Sequence, residues 1–252
     1  MKPKNLEEIK ATADMNLYNL MHSFYPGRGF IIGLDGSGRF IVIIYFLQSR
    51  SEINRNRVLL HDEKTGKVWV EKARPDKNEN TSLILYPAMM ESDNGIFLVS
   101  NGEQTEPILQ HGFEKTMHIK TYEPDSIPTP RISAVCCIAS ESEILGEMAI
   151  LKKSLYGDGC VRLFYPIDVL DNRIPGIGQC MQTYRGGQED PPMPFDRDPY
   201  LLPLTGDIDQ ILRTYWNAMN KENKISVAVK FIDTLSKRSV VMIENRYEQA
   251  AT

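Results

Sequence analysis

Short apolar runs joined by tight polar turns are what most constrain the fold of this chain. Gly29–Leu34 and Phe40–Leu47 are two such runs, separated only by Asp35-Gly36-Ser37-Gly38. A connection that short, built on Asp and Gly, makes an antiparallel hairpin. The pattern recurs at Val58–His61 and Lys67–Val70 around Lys64-Thr65-Gly66, at Ile132–Ala139 and Ile144–Lys152 around Ser140-Glu141-Ser142, and at Ser226–Asp233 with Arg238–Asn245. Ile96–Ser100, Cys160–Tyr165 and Gln179–Tyr184 read as further strands, and Leu83–Met90 reads equally as strand or helix. Parallel strands need a crossover of a dozen or more residues, usually helical. Hairpin connections dominate instead, so the expectation is an α+β protein rather than a βαβ one.

Three segments carry helical periodicity. In residues 6–22, Leu6, Ile9, Ala13, Leu17, Leu20 and Met21 fall at three- and four-residue steps, and Tyr25-Pro26-Gly27 then breaks the pattern. Residues 106–118 look helical. A third helix has Ile208, Ile211, Leu212, Tyr215, Trp216 and Met219 on one stripe, with Thr205 or Asp207 as its N-cap. In the strand after it, Val227, Val229 and Phe231 alternate against Ser226, Ala228 and Lys230. Residues 71–81 are polar and loop-like. Residues 185–203 hold five prolines, which predicts a long ordered loop without regular structure, of a length suited to a lid. With no repeat, low-complexity tract or linker, residues 1–252 are expected to form one domain, with 1–24 as a helical extension.

Composition excludes several functions. A formal net charge of −4 gives no reason to expect nucleic-acid binding. No apolar run reaches membrane-spanning length, and the first twenty residues carry acids and no apolar block, so neither a membrane anchor nor a signal peptide is expected. Cys136, Cys137, Cys160 and Cys180 show no CxxC spacing and fit a reducing, cytoplasmic setting. His22, His61, His111 and His118 lack metal-ligand spacing. The Gly-x-Gly of GLDGSG is followed by a strand, which argues against a phosphate loop.

Against that background two polar stretches stand out. In Ser49–Arg57, three arginines (Arg50, Arg55, Arg57) fall within eight positions, interleaved with Ser51, Asn54 and Asn56. The stretch is either a solvated turn or a phosphate grip, because the guanidinium fork matches phosphate oxygens. In Thr121–Ser133, Tyr122, Glu123, Asp125 and Arg131 sit among Pro124, Pro128 and Pro130. Each proline fixes its own φ and biases its predecessor to extended geometry, which makes a stiff loop fit to hold reactive groups. Asn101-Gly102 follows a strand and places polar groups at a sheet end.

Taken in order, YPGRG (Tyr25–Gly29), SRSEINRNR (Ser49–Arg57), SNGEQT (Ser100–Thr105), EPDSIPTPRIS (Glu123–Ser133) and QTYRGG (Gln182–Gly187) resemble the stand-alone, archaeal-type IMP cyclohydrolase family. Gly206–Asp233 is similar to its bacterial branch. The resemblance implies a four-layer αββα sandwich like that of the N-terminal nucleophile hydrolases, used without an N-terminal nucleophile. The implied reaction closes 5-formamidoimidazole-4-carboxamide ribonucleotide to IMP with loss of water, on a purine ribonucleotide substrate, with no metal and no other cofactor. A homo-oligomer is also expected. Carried onto this chain, the resemblance gives Arg50, Asn54 and Arg55 to phosphate or ribose. It puts Arg28 and Arg131 near the base, and proton transfer falls to Glu123, with Tyr45 and Tyr122 as phenol alternatives. Asn101 is expected on the carboxamide or formyl oxygen, and Gly102, Asp125, Thr183 and Tyr184 in the substrate site. Gln182 departs from a histidine often found in the family before Thr-Tyr. That departure leaves open a nucleotide-binding paralogue without turnover. An amidohydrolase of the N-terminal nucleophile type is a third reading.

Overall fold

A computed structural model gives the structure of residues 5–74, 85–140 and 143–248. In chain order its elements are α1 (Leu6–Met21), β1 (Gly29–Leu34), β2 (Phe40–Gln48), α2 (Glu52–Arg55), β3 (Arg57–His61), β4 (Val68–Lys72), β5 (Pro87–Ser92), β6 (Ile96–Ser100), α3 (Thr105–His111) and α4 (Phe113–Ile119). These are followed by β7 (Arg131–Ser140), β8 (Glu143–Lys153), β9 (Cys160–Pro166), α5 (Asp168–Asp171), β10 (Ile177–Gln182), β11 (Tyr200–Pro203), α6 (Ile208–Ala218), β12 (Lys224–Asp233) and β13 (Ser239–Asn245). The strands form two sheets. One has six strands in the order β11-β10-β1-β2-β12-β13, and the other is a seven-stranded meander from β3 to β9. All pairings between these strands are antiparallel.

The hairpin between β1 and β2 forms where Asp-Gly-Ser-Gly requires it. The Asp35 carboxylate accepts from Ser37 N, Ser37 Oγ and Phe40 N, while Gly38 takes a positive φ of 73°. β2 is buried on both faces. Ile41, Ile43, Tyr45 and Leu47 meet the other sheet, while Val42, Ile44 and Phe46 meet α1 and α6. Burial on both faces explains why its sequence is a continuous apolar run with no period of two. Each such side chain contributes about 1.5–3 kcal/mol by leaving water. On the far side, Ile108, Phe113 and Met117 of α3 and α4 cover Leu98, Ala149 and Leu151 of the seven-stranded sheet. The layering is therefore helix, sheet, sheet, helix.

Local sequence explains the helix ends. α1 starts in a capping box between Asn5 and Glu8, and α6 in one between Asp207 and Gln210. The segment expected as one helix over 106–118 is two, because Gly112 at φ 92° ends α3 and begins α4. Two further expectations are corrected. The proline-rich 185–203 stretch does contain regular structure: its last four residues are β11, an edge strand, where Pro203 is tolerated. The strand expected over Gln179–Tyr184 is Ile177–Gln182, so Thr183 and Tyr184 leave the sheet. In β12 the alternating set Ser226, Ala228 and Lys230 is buried as well. Lys230 is 1 % exposed and lies between the sheets, its Nζ donating to Glu91 Oε2 and Gly66 O, both at 2.6 Å. Leu83–Met90 resolves toward strand from Pro87 onward, as β5. Residues 75–81 of the polar 71–81 stretch, residues 83 and 84, and the Glu141-Ser142 turn lie outside the described residues.

The two sheets are clasped at one edge by Asn245 of β13. Its Oδ1 accepts from Leu59 N at 2.9 Å and Ser226 Oγ at 2.6 Å, and its Nδ2 donates to Leu59 O at 3.0 Å. Asn245→Ala leaves those half-buried groups unpaired, and urea unfolding is expected to show a loss of about 1–3 kcal/mol. Asn245→Asp keeps the acceptor and loses the donor, so it should fall between the two.

Candidate active site

The open end of the sandwich holds a cavity of about 260 Å³, near the lower end of the roughly 300–1,000 Å³ common for small-molecule sites. Three chain segments build most of it, and Tyr184 and Pro192 complete the lining. The Tyr25–Arg28 turn leads into β1, residues 48–57 run from the end of β2 into β3, and residues 123–129 lead toward β7. Gly27, at φ 77°, makes the first turn possible, since a Cβ there would overlap Thr183 Oγ1 and the Tyr184 ring. The third segment is pinned on itself by Glu123 N donating to Thr129 O at 2.9 Å. Its prolines and this bond fix where Glu123 and Asp125 stand.

At the centre, Arg28 grips Glu123 with both teeth of its fork. Nη1 donates to Oε1 at 2.9 Å and Nη2 to Oε2 at 2.8 Å, and Nη1 also reaches Asn101 O at 3.1 Å. Both side chains are buried. Burial raises the Glu123 carboxyl above the usual carboxylate value, with Arg28 pulling the other way. Burial works strongly against charge on Arg28, but Glu123, together with the Tyr86 and Tyr45 phenols, outweighs it and raises the guanidinium well above its ordinary value. The two short charge-assisted bonds favour the charged form of the pair.

Beside that pair lies Arg57, at 5 % exposure, with its Nε donating to Asn54 O at 2.6 Å. Its two terminal nitrogens have no hydrogen-bond partner and no carboxylate among the described residues. Burial lowers its affinity for a proton, with Arg28 adding to the effect and the Tyr86 phenol opposing it. A buried, uncompensated guanidinium on a cavity wall is a site for an anion. Arg50 lies at the rim, over the Tyr25 ring at 5.2 Å, and donates to Glu189 O at 2.8 Å and Asp190 Oδ1 at 2.9 Å. It thereby ties the proline-rich loop to the mouth. That loop is anchored further in by Phe195, which is buried in the inter-sheet core.

The opposite wall carries Tyr184, whose OH is 2.7 Å from Thr129 Oγ1, itself 3.3 Å from Asp125 Oδ2. Burial pushes the Tyr184 phenol up to about 12 and raises the Asp125 carboxyl. Tyr184 stacks on Tyr25 with ring centroids 5.4 Å apart.

Of the residues expected in the site, Arg28, Arg50, Asn54, Glu123, Asp125 and Tyr184 line this cavity. The others do not. Arg55 turns back to brace the chain, donating to Ser49 O and Arg50 O. Tyr122 is half-buried off the cavity and donates to Asp158 O. Tyr45 is buried between the sheets, its OH 2.7 Å from Tyr86 OH, and burial raises it well above a normal phenol. Asn101 spends its amide inside the protein, donating to Pro130 O and accepting from Ile132 N. Arg131 lies buried against Gln104 and Glu103, its Nε unpartnered. Gly102 gives room to Arg131 and Glu123, and Thr183 Oγ1 accepts from Arg28 N, so both shape the site from behind. Gln182 also lies off the cavity, bonded to Tyr184 O and Tyr200 OH. The sequence reading missed Arg57, Tyr25, Ser49 and Thr129 as lining residues. A usable signal was Arg57's place at the first residue of a strand, two positions past a helical turn that spends Arg55.

Comparison with family models matches residues 25–237 to one described as IMP cyclohydrolase-like protein, a span that holds every cavity-lining residue. A comparison with curated proteins found no match.

Removing one member of a buried ion pair strands the other. Arg28→Met is expected to cost about 3–5 kcal/mol in urea unfolding, and Arg28→Met combined with Glu123→Leu should recover part of that loss. Additive losses in the double variant would mean that the two side chains are not coupled.

Proposed function

The chain belongs to the IMP cyclohydrolase-like family, and from that premise we propose that it closes 5-formamidoimidazole-4-carboxamide ribonucleotide to IMP. The observation that carries the reading is Arg57, a buried guanidinium whose terminal nitrogens are unpaired on the cavity wall. Its natural complement is a phosphate. Arg57 and Arg50, with Ser49, Ser51 and Asn54 around them, receive the 5′-phosphate and ribose. The base end then faces Glu123, Arg28, Asp125, Thr129 and Tyr184. Arg55 braces the segment that carries this grip.

Ring closure joins the carboxamide nitrogen to the formyl carbon. The formyl oxygen leaves as water with one proton from each of the two nitrogens. No electrons are exchanged with an outside group. Both reacting groups belong to one substrate, so the main contribution is a near-attack conformation held by a phosphate anchor at one end and a rigid polar wall at the other. Glu123 takes the proton from the attacking nitrogen. Arg28, fixed by the same carboxylate, keeps it oriented. Tyr184, in its chain with Thr129 and Asp125, protonates the departing hydroxyl. Gln182 is set back from this wall, so its departure from histidine acts through Tyr184's backbone and leaves the nucleotide-facing groups in place. The same reading includes an N-terminal-nucleophile-like fold used without that nucleophile, a place in the bacterial branch, and cytoplasmic purine synthesis.

Conversion of the formamido ribonucleotide to IMP, followed by ultraviolet absorbance, tests this reading, and an inactive parent protein would contradict it. Arg57→Ala is expected to weaken IMP binding by about 1.5–3 kcal/mol, the range for hydrogen bonds to charged groups, whereas Arg55→Lys should leave it nearly unchanged. Glu123→Gln keeps the shape but cannot shuttle a proton, and turnover is expected to fall roughly 10²–10⁴-fold with IMP affinity little altered. Activity of that variant within about threefold of the parent would remove Glu123 from the proton step.

A further inference from the structure

Gln48, the last residue of β2, lines the same cavity at 2 % exposure and was not among the residues the motifs pointed to. Its Nε2 donates to Met219 Sδ at 3.0 Å, while its Oε1 is buried with no hydrogen-bond partner. The amide orientation follows from the sulfur. A thioether accepts weakly and donates nothing, so the reversed amide would set two acceptors face to face. The carbonyl oxygen is therefore the end left without a partner, and a buried acceptor in that condition calls for a donor.

Gln48 opens the segment that continues through Ser49, Arg50, Ser51 and Asn54 to Arg57. The arginines there offer donors only, and they suit an oxyanion. A bare oxyanion gives Gln48 Oε1 nothing. A ligand that satisfies both carries a hydroxyl donor as well as an oxyanion, and a nucleotide's free ribose hydroxyl supplies it. We propose that Gln48 Oε1 accepts a hydrogen bond from a ribose hydroxyl of the bound nucleotide, which makes Gln48 a residue that selects ribonucleotides over deoxyribonucleotides. This inference rests on the nucleotide reading of the cavity and goes beyond it by giving Gln48 a ribose hydroxyl to read. Discrimination arises because a site built around a substrate hydroxyl leaves its own acceptor unpaired when an analogue lacks that group.

The test is calorimetric titration of the parent and of Gln48→Leu with IMP, 2′-deoxy-IMP and 3′-deoxy-IMP. The parent is expected to bind IMP about tenfold more tightly than one of the two analogues, the ratio one hydrogen bond carries, and that analogue identifies the hydroxyl. In Gln48→Leu the ratio should collapse toward one, through weaker IMP binding and not through stronger binding of the analogue. Equal affinity of the parent for all three ligands overturns the inference and leaves the nucleotide reading standing, as does a Gln48→Leu variant that keeps the parent's ratio. Failure of the parent to bind any of the three overturns the nucleotide reading and the inference with it. The comparison among ligands in the parent does not depend on the variant folding.

Discussion

The buried fork between Arg28 and Glu123 is the contact on which the rest of the site depends. Arg28 stands at the start of β1 in one sheet, and Glu123 in the loop that feeds β7 of the other. Dispersion and apolar burial press the two sheets together but do not choose their relative position along the open end, because they are nearly non-directional. A two-toothed charge pair does choose it, since both bonds hold only when the planes align. Around this pair the remaining groups are set by short-range bonds. Thr183 holds the Arg28 backbone, Asn101 holds the start of β7, and the Glu123–Thr129 bridge holds the proline loop.

The cost of this arrangement falls on charge. Arg28, Arg57 and Arg131 are all buried within one end of the sandwich, yet among the described residues nearby only Glu123 is a buried carboxylate. Arg28 takes Glu123. Arg131 leans on Glu103 and Gln104. Arg57 is left with a single backbone carbonyl. Burying a guanidinium without an acceptor is unfavourable, and pairing it with an anion offsets that cost. Gln48 adds the opposite demand, an acceptor waiting for a donor, a short step along the same segment.

Much of this was legible in the sequence, and the failures share a cause. The β1–β2 hairpin, the cap at Asp207 and the stiff loop around Glu123 are local effects of glycine, aspartate and proline, so they read correctly from neighbours alone. Strand content also read well, because a run such as Phe40–Leu47 has one tolerable environment, buried on both faces. Side-chain direction did not. In a basic stretch of nine residues, the α2 turn sends Arg55 to its own backbone and Arg57 inward, and charge alone does not distinguish them. The burial of Lys230 was not legible, because its partner, Glu91, is on a strand of the other sheet. Tyr122 neighbours Glu123 in sequence and points the other way, as adjacent residues in extended chain do. Each miss needed a long-range partner that no local pattern encodes.

A crystal structure of the protein with IMP bound addresses the central claim most directly. The result expected is the phosphate within hydrogen-bond distance of both terminal nitrogens of Arg57, with the base against Glu123 and Tyr184 and Arg55 still turned to its backbone carbonyls. IMP bound elsewhere, or a phosphate that leaves the Arg57 guanidinium unpaired, would contradict it.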